Sequence, residues 1–312
     1  MSQLKNAFAV YRFAFTCGLR AIIAGSIVGG LKLLFAPIGY WRFLPNAFVL
    51  QEFKRQHNPK VLDASSPKLL SLMLASQTEN DVYATDLNDA VIFSRWQPLA
   101  GALGLKNYKV EFQDVRQLKY PDEFFDLVYS ISVIEHIPAQ GDTEALNEFC
   151  RVLRRKGRVV IEVPYRRLRR EVFANYDSKG VPLQAPQFYE RHYDDAWLRE
   201  RLEYIHSLIL ERKVILGETL PIDPWLSTRR LPRFLRVALL PFEPLLAAFN
   251  YWSRSDDTAG SAASRFARVP ESLMLRGDNC KASTKNMIMG ADTFSDREII
   301  HKTDFATSDL EF

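Results

Sequence analysis

Between Lys60 and Gly217, short runs rich in β-branched residues alternate with longer amphipathic stretches, the pattern of a βαβ array around a mainly parallel sheet. The runs KVLDA, DVYATDL, YKVEFQDV, FDLVYSIS and RVVIEVPY predict five strands in that order. A helix is expected from about Pro67, and another from near Asp142 in GDTEALNEFCRVLRRKG. The amphipathic segment DDAWLRERLEYI then leads to a sixth strand around SLILERKVILG, and NMIMG is the candidate for a seventh.

Outside this array the pattern changes. Residues 1–58 join apolar runs to isolated cations, Lys5, Arg12, Arg20, Lys32, Arg42, Lys54 and Arg55, against Glu52 alone. Downstream come an apolar, proline-punctuated stretch, LPRFLRVALLPFEPLLAAFNYW, a polar segment, SRSDDTAGSAASR, and a tail richer in acids than in bases. The division that follows is a helical appendage over 1–58 and a core over 59–218. An apolar insertion or lid with the last strand then covers 219–290, and a flexible acidic tail covers 291–312.

Composition narrows the class. With 312 residues, 47% of them hydrophobic, the chain can bury one sizeable core and still carry appendages. A formal charge of +4 is small for that length and does not by itself indicate a nucleic-acid binder. Cys17, Cys150 and Cys280 are odd in number, far apart and without a CxxC pair, which argues against a disulfide framework and a metal site and for a reducing cytoplasm.

Ala21–Trp41, AIIAGSIVGGLKLLFAPIGYW, is almost long enough to cross a bilayer but contains Lys32, Pro37 and several glycines. A span would also export Lys5, Arg12 and Arg20 against the positive-inside tendency, a conflict that an interfacial helix or a cap over the active site avoids. Arg229, Arg230, Arg233 and Arg236 interleave with apolar residues in the same manner. Peripheral contact with an anionic membrane, at its inner face, is therefore expected, with a hydrophobic lid as the competing arrangement.

In a doubly wound sheet the ligand lies across the carboxyl ends of the strands, where the strand order reverses. After the first strand stand Asp63 and the loop Ala64, Ser65, Ser66, entering a helix whose free amides can receive a carboxylate. Ser66 suits the cap and Pro67 the first turn. Asp86 closes the second strand, where two carboxylate oxygens can accept from a diol or cap the segment beginning at Asn88. His136 is the candidate general base, with Glu135 beside it; a packed or capping histidine is the alternative. Arg166, Arg167, Arg169 and Arg170 follow the fifth strand, either as a solvated loop or as a guide for an anionic substrate or headgroup.

Taken in order, VLDASSPK, VYATDL, VEFQDVRQLKYPDEFFDLVYSISVIEHIP and RVLRRKGRVVIEVPY resemble the class I S-adenosylmethionine-dependent methyltransferases, in particular their small-molecule group. The resemblance runs from about Lys60 to Tyr165. It implies an α/β, doubly wound, Rossmann-like sheet of seven strands and S-adenosylmethionine as cofactor. It further implies that Asp86 accepts the ribose hydroxyls with Leu87 against the adenine, that Asp114 and Val115 read the adenine edge, and that Ser130, Ile131 and Ser132 lie beneath the methionine portion.

Where the family places glycines, this chain has Ser65, Pro67 and Leu69. A dinucleotide enzyme needs such glycines to seat a pyrophosphate, which S-adenosylmethionine lacks. The acceptor implied is a small molecule or a lipid-linked compound. Nucleic acid is disfavoured, because the Asn/Asp/Ser-Pro-Pro-aromatic tetrad of base methylation is replaced by SISVIEH and no RNA-binding module is present. Two alternatives remain: a catalytically silent binding or scaffold protein, and an NAD-type oxidoreductase or epimerase, whose glycine fingerprint and Tyr-xxx-Lys pair are missing.

Overall fold

A computed structural model of the chain describes residues 2–35, 37–88, 95–177, 181–203, 208–220, 239–255, 271–279 and 297–300. Helices α1 (Ser2–Ile23), α2 (Ile27–Phe35) and α3 (Phe43–Lys54), with a 3-10 turn at Tyr40–Arg42, precede the sheet. Then follow β1 (Val61–Ala64), α4 (Lys68–Ala75), β2 (Val82–Asp86), α5 (Gln97–Ala102), β3 (Tyr108–Phe112) and β4 (Phe125–Ile131). A 3-10 turn at Ile134–His136 leads to α6 (Gly141–Val152), β5 (Leu153–Tyr165) and the pair β6 (Arg170–Tyr176) and β7 (Pro182–His192). The rest comprises α7 (Asp195–Leu198), continued by a π turn to Glu203, β8 (Leu208–Glu218), α8 (Glu243–Asn250), β9 (Tyr251–Ser255), β10 (Glu271–Asn279) and β11 (Arg297–Ile300).

The main sheet has eight strands in the order β3-β2-β1-β4-β5-β10-β8-β9. Its first five run parallel, and the order reverses between β1 and β4. Strand β10 enters antiparallel to both β5 and β8, and β9 is antiparallel to β8. The seven-stranded expectation is thus corrected: five strands form the parallel run, and α8 turns directly into an added edge strand, β9, inside the stretch read as an apolar insertion. The slot beside β5 is filled by ESLMLRGDN, whereas NMIMG lies outside the described residues, as do Arg229, Arg230, Arg233 and Arg236. Strand β11, within the stretch read as a tail, joins β6 and β7 in a second, three-stranded sheet.

Strand periodicity divides the core in two. Val61, Leu127, Tyr129, Ile131 and Val160 face one side, beneath α1, α3, α4 and α5. Leu62, Val128, Val159, Ile161 and Val163 face the other, beneath α6 and α7. On α1 the inward positions are small, Ala7, Val10, Ala14, Cys17 and Ala21 at heptad spacing, so neighbouring helices approach closely. A Cβ on Gly30 would lie 2.6 Å from the carbonyl oxygen of Gly18, so α1 and α2 meet backbone to backbone there. No single described helix is long and apolar enough to cross a membrane. The bent pair formed by α2 and the segment Tyr40–Lys54 passes that test jointly, but α3 is buried along most of its length.

Candidate functional site

The site is built at the carboxyl edge of β1, β2 and β4. Strand β1 is apolar until Asp63, which is fully buried. Asp63 accepts the Ser66 amide at 2.8 Å on Oδ1 and the Tyr129 hydroxyl at 2.9 Å on Oδ2. Burial pushes its carboxyl above the ordinary range, opposed by the Lys68 ammonium and by the hydrogen bonds it accepts. Ser65 occupies the left-handed region at φ 61°, the backbone state for which glycine is the usual choice. The Ser66 hydroxyl, expected as a helix cap, instead accepts the Ile131 amide at 2.8 Å, and Pro67 takes the cap position without a side-chain bond. The Ser130 hydroxyl reaches back to the Ala64 carbonyl at 3.3 Å. Ser66, Ser130 and Ile131 therefore fasten the first loop to β4.

Lys68 is the principal residue that the sequence reading passed over. It is only 3% exposed; its ammonium lies 3.5 Å from Asp63 and 3.4 Å from Asp86, and it donates to the Ser66 carbonyl. One cation thus spans the two carboxylates at adjoining strand ends. A signal was present in PKLLSLMLA: α4 is buried on every side, so its single cation had to be paired. Asp86 itself is partly exposed and accepts the Asn88 amide at 3.0 Å. Leu87 beside it is 56% exposed and presents an apolar surface. Asp114 is held by Arg116 through the guanidinium and the backbone amide, which keeps its carboxyl below the usual range, while Val115 is buried.

A second group gathers at the ends of β4, β5 and β7. Ser132, also left-handed at φ 52°, directs its amide and hydroxyl to Glu162 at 3.0 and 2.9 Å. Glu135 is 1% exposed, and its Oε2 has no hydrogen-bond partner among the described residues. Burial, then the charges of Glu162 and Glu190, raises its carboxyl well above the ordinary range, with Arg42 opposing. His136 places Nδ1 at 2.8 Å from the Tyr189 carbonyl, which can only accept; the proton belongs on Nδ1, and in the neutral ring Nε2 keeps its lone pair. That Nε2 lies 3.8 Å from Glu135. Burial opposes ionisation of Glu190, yet its hydrogen bond to His192 and the charges of His192, His136 and Arg166 hold it below its usual range.

The arginine run is largely engaged. Arg170 donates to His192 at 3.0 Å, and Arg169 lies 5.1 Å over Trp197 and 3.9 Å from Glu200. Asp126 accepts the Lys60 amide at 2.8 Å and pairs with Arg154, a structural role. No group of three or more potential metal ligands occurs among the described residues.

These elements match what is known of one family. The family model described as "Methyltransferase domain" matches residues 64–161. No curated protein matches the chain. Among solved structures, a geranyl diphosphate methyltransferase in complex with SAM is 13% identical, with 77% of this chain and 86% of that one covered and a TM-score of 0.47. The YcgJ protein of Bacillus subtilis is 13% identical over 75% of this chain and 98% of that one, at a TM-score of 0.46. The MccD protein is 13% identical over 76% and 96%, at 0.47. Residues 64–161, which run from the end of β1 into β5 and include the loop, Asp86 and the switch point just described, match the methyltransferase-domain model.

Proposed function

We propose that the chain binds S-adenosylmethionine along the carboxyl edge of β1 to β4 and transfers its methyl group to a small-molecule or lipid-linked acceptor. One observation carries this reading: the matched domain places the partly exposed carboxylate of Asp86, with the apolar Leu87 beside it, at the end of β2 next to the switch point. The donor set fits a nucleoside, with two carboxylate oxygens for a diol and an aliphatic face for a base. Ala64, Ser65 and Ser66 would border the amino-acid end. Asp63 holds the loop from beneath, and Asp114 and Val115 flank the base position.

The bound sulfonium supplies an already activated methyl group, so the protein must chiefly align the acceptor and exclude water. His136, oriented by the Tyr189 carbonyl, is the residue able to take a proton from an acceptor that must lose one. Glu135 lies beside it on the buried side, 3.8 Å from Nε2, its carboxyl raised well above the ordinary range by burial and by the charges of Glu162 and Glu190. Cys17 and Cys150 are buried free thiols, both pushed up to about 12 by burial and so poor nucleophiles near neutral pH.

Calorimetry with S-adenosylmethionine and its demethylated product tests the binding half, and transfer of isotopically labelled methyl groups into an extract of metabolites and lipids tests the catalytic half. Asp86→Ala should weaken binding by about 1.5–3 kcal/mol, or roughly tenfold to a hundredfold. Binding of NAD with no binding of either sulfur nucleoside would overturn the assignment. A second reading, a silent methyltransferase-like scaffold, is favoured by the position of Lys68, whose ammonium already satisfies Asp63 and Asp86. It predicts no nucleoside binding by the native chain and measurable binding by Lys68→Ala.

A further inference from the structure

The outer face of α1 carries Leu4, Phe8, Phe15, Leu19 and Ile23, all at least partly exposed, at helical spacing, with Phe8 also packed edge-on against the buried Phe43. Arg12 fills the place between Phe8 and Phe15 in the same stripe. On α2 the stripe continues with Ile27, Val28, Leu31 and Phe35. Exposure is greatest where the hairpin turns: Ile23 is 85% and Val28 82% exposed, on either side of the open turn Ala24-Gly25-Ser26. Helix α8, which touches α1, also exposes Leu245 and Phe249. A contiguous apolar face of this extent marks an interaction surface in a folded protein.

Its occupant is indicated by charge. From Met1 to Gln51 the chain has no acidic residue, while Lys5, Arg12, Arg20 and Lys32 stand along the hairpin. A second protein chain would be expected to present mixed charges opposite, whereas a bilayer with anionic headgroups presents one sign and an apolar interior. The close backbone contact at Gly18 and Gly30 packs the two helices side by side. The hairpin also leads straight to the site, because the turn Tyr40–Arg42 follows α2 and Arg42 is a charged neighbour of Glu135.

We propose that the α1–α2 hairpin is an interfacial anchor that seats the protein on an anionic bilayer surface, with the tip residues Ile23, Ile27 and Val28 inserted and Lys5, Arg12 and Arg20 at headgroup level. This anchor is independent of the methyl-transfer reading; it only determines which acceptors meet the site.

Co-sedimentation of the full chain tests it, with vesicles of phosphatidylcholine alone and of equal parts phosphatidylcholine and phosphatidylglycerol, at low and high salt. The native chain should pellet with the anionic vesicles and be partly released by salt. Ile23→Asp/Val28→Asp, at two exposed positions where folding is not at stake, should reduce binding roughly a hundredfold. Arg12→Glu/Arg20→Glu should reduce it at low salt and differ little from the native chain at high salt. Circular dichroism establishes that both variants are folded. Failure of the native chain to bind either vesicle would overturn the proposal, as would equal binding to neutral and anionic vesicles, or sedimentation of the tip variant like the native chain. Sedimentation velocity without lipid adds a further check: a native dimer that the tip variant dissociates would assign the face to a second copy instead.

Discussion

Ser65 holds a left-handed backbone at the position where the resembled family has glycine, and this makes the loop testable one residue at a time. A non-glycine residue in that region carries about 1–2 kcal/mol of steric cost, partly offset because glycine loses more freedom on folding. Ser65→Gly should therefore raise stability by roughly 0.5–1 kcal/mol, read as a higher midpoint in chemical denaturation. Ser65→Asn adds bulk to the loop without adding backbone strain, since asparagine tolerates the left-handed state, and so tests how crowded the loop is. A second residue supplies a pH effect. Glu243 on α8 accepts the Tyr40 amide at 3.1 Å, and burial pushes its carboxyl up to about 7. The folded protein holds that proton more tightly than the unfolded chain does. The resulting stabilisation is complete below the ordinary glutamate range and is lost as the pH rises toward 7. Glu243→Gln should remove this slope and be more stable at about pH 8 by up to about 3 kcal/mol, with little difference at about pH 4. An unchanged slope in thermal melts across that range would refute it. At this scale the strand-end acids were legible because each breaks an apolar run. Glu243 and Lys68 were not, because their partners are set by tertiary contacts with Tyr40, Asp63 and Asp86.

Helix α6 is tied to β7 and the π turn by Asp142. Its Oδ2 accepts from Arg191 at 3.0 Å, the Tyr193 hydroxyl at 2.7 Å and Arg201 at 2.7 Å, and its Oδ1 accepts a second Arg201 nitrogen at 2.6 Å. Burial opposes the charge of Asp142, but the hydrogen bonds and charges of Arg201 and Arg191 outweigh it and keep the carboxyl below its usual range. This contribution is present above the ordinary aspartate range and is lost as the pH falls through the lowered one. Asp142→Asn leaves two buried guanidinium groups under-compensated and should cost about 3–5 kcal/mol. Hydrogen exchange should show the loss concentrated in β6, β7 and the start of α6; uniform protection equal to that of the native chain would contradict it. The strands β1, β2 and β4 could be read from the sequence as mainly apolar runs bounded by turns and β3 from its alternation, whereas β5 was legible only from Arg158, because LRRKG continues the charged pattern of the helix before it. The pair β6 and β7 could not: QAPQ in β7 is exposed along its length, so it shows no alternation, and the arginines before it read as loop. What holds that pair down is the Arg191–Asp142 bond, and a periodicity cannot reveal it.

Across the whole molecule the sheet is closed by a strand from far along the chain, and sequence order gave no sign of it. Strand β10 lies between β5 and β8, hydrogen-bonded to both, from Glu271 against Tyr165 to Asp278 against Arg158. In ESLMLRGDN the polar Arg276, Asp278 and Asn279 mask the apolar start, whereas NMIMG is the cleaner apolar run. A chain ended after Ser255 would keep residues 64–161 but leave the edges of β5 and β8 unpaired. It should aggregate on expression, and light scattering of the soluble fraction measures this directly; a monodisperse truncated protein would show β10 to be dispensable. The insertion of β10 also bears on biosynthesis. As the polypeptide leaves the ribosome, β5 and then β8 emerge before β10, and the two cannot be joined until that later strand arrives between them. Throughout that interval two long apolar strand edges are exposed to other nascent chains. Yield should therefore depend on growth temperature and on chaperones that shield such edges, even though the finished protein has neither edge open.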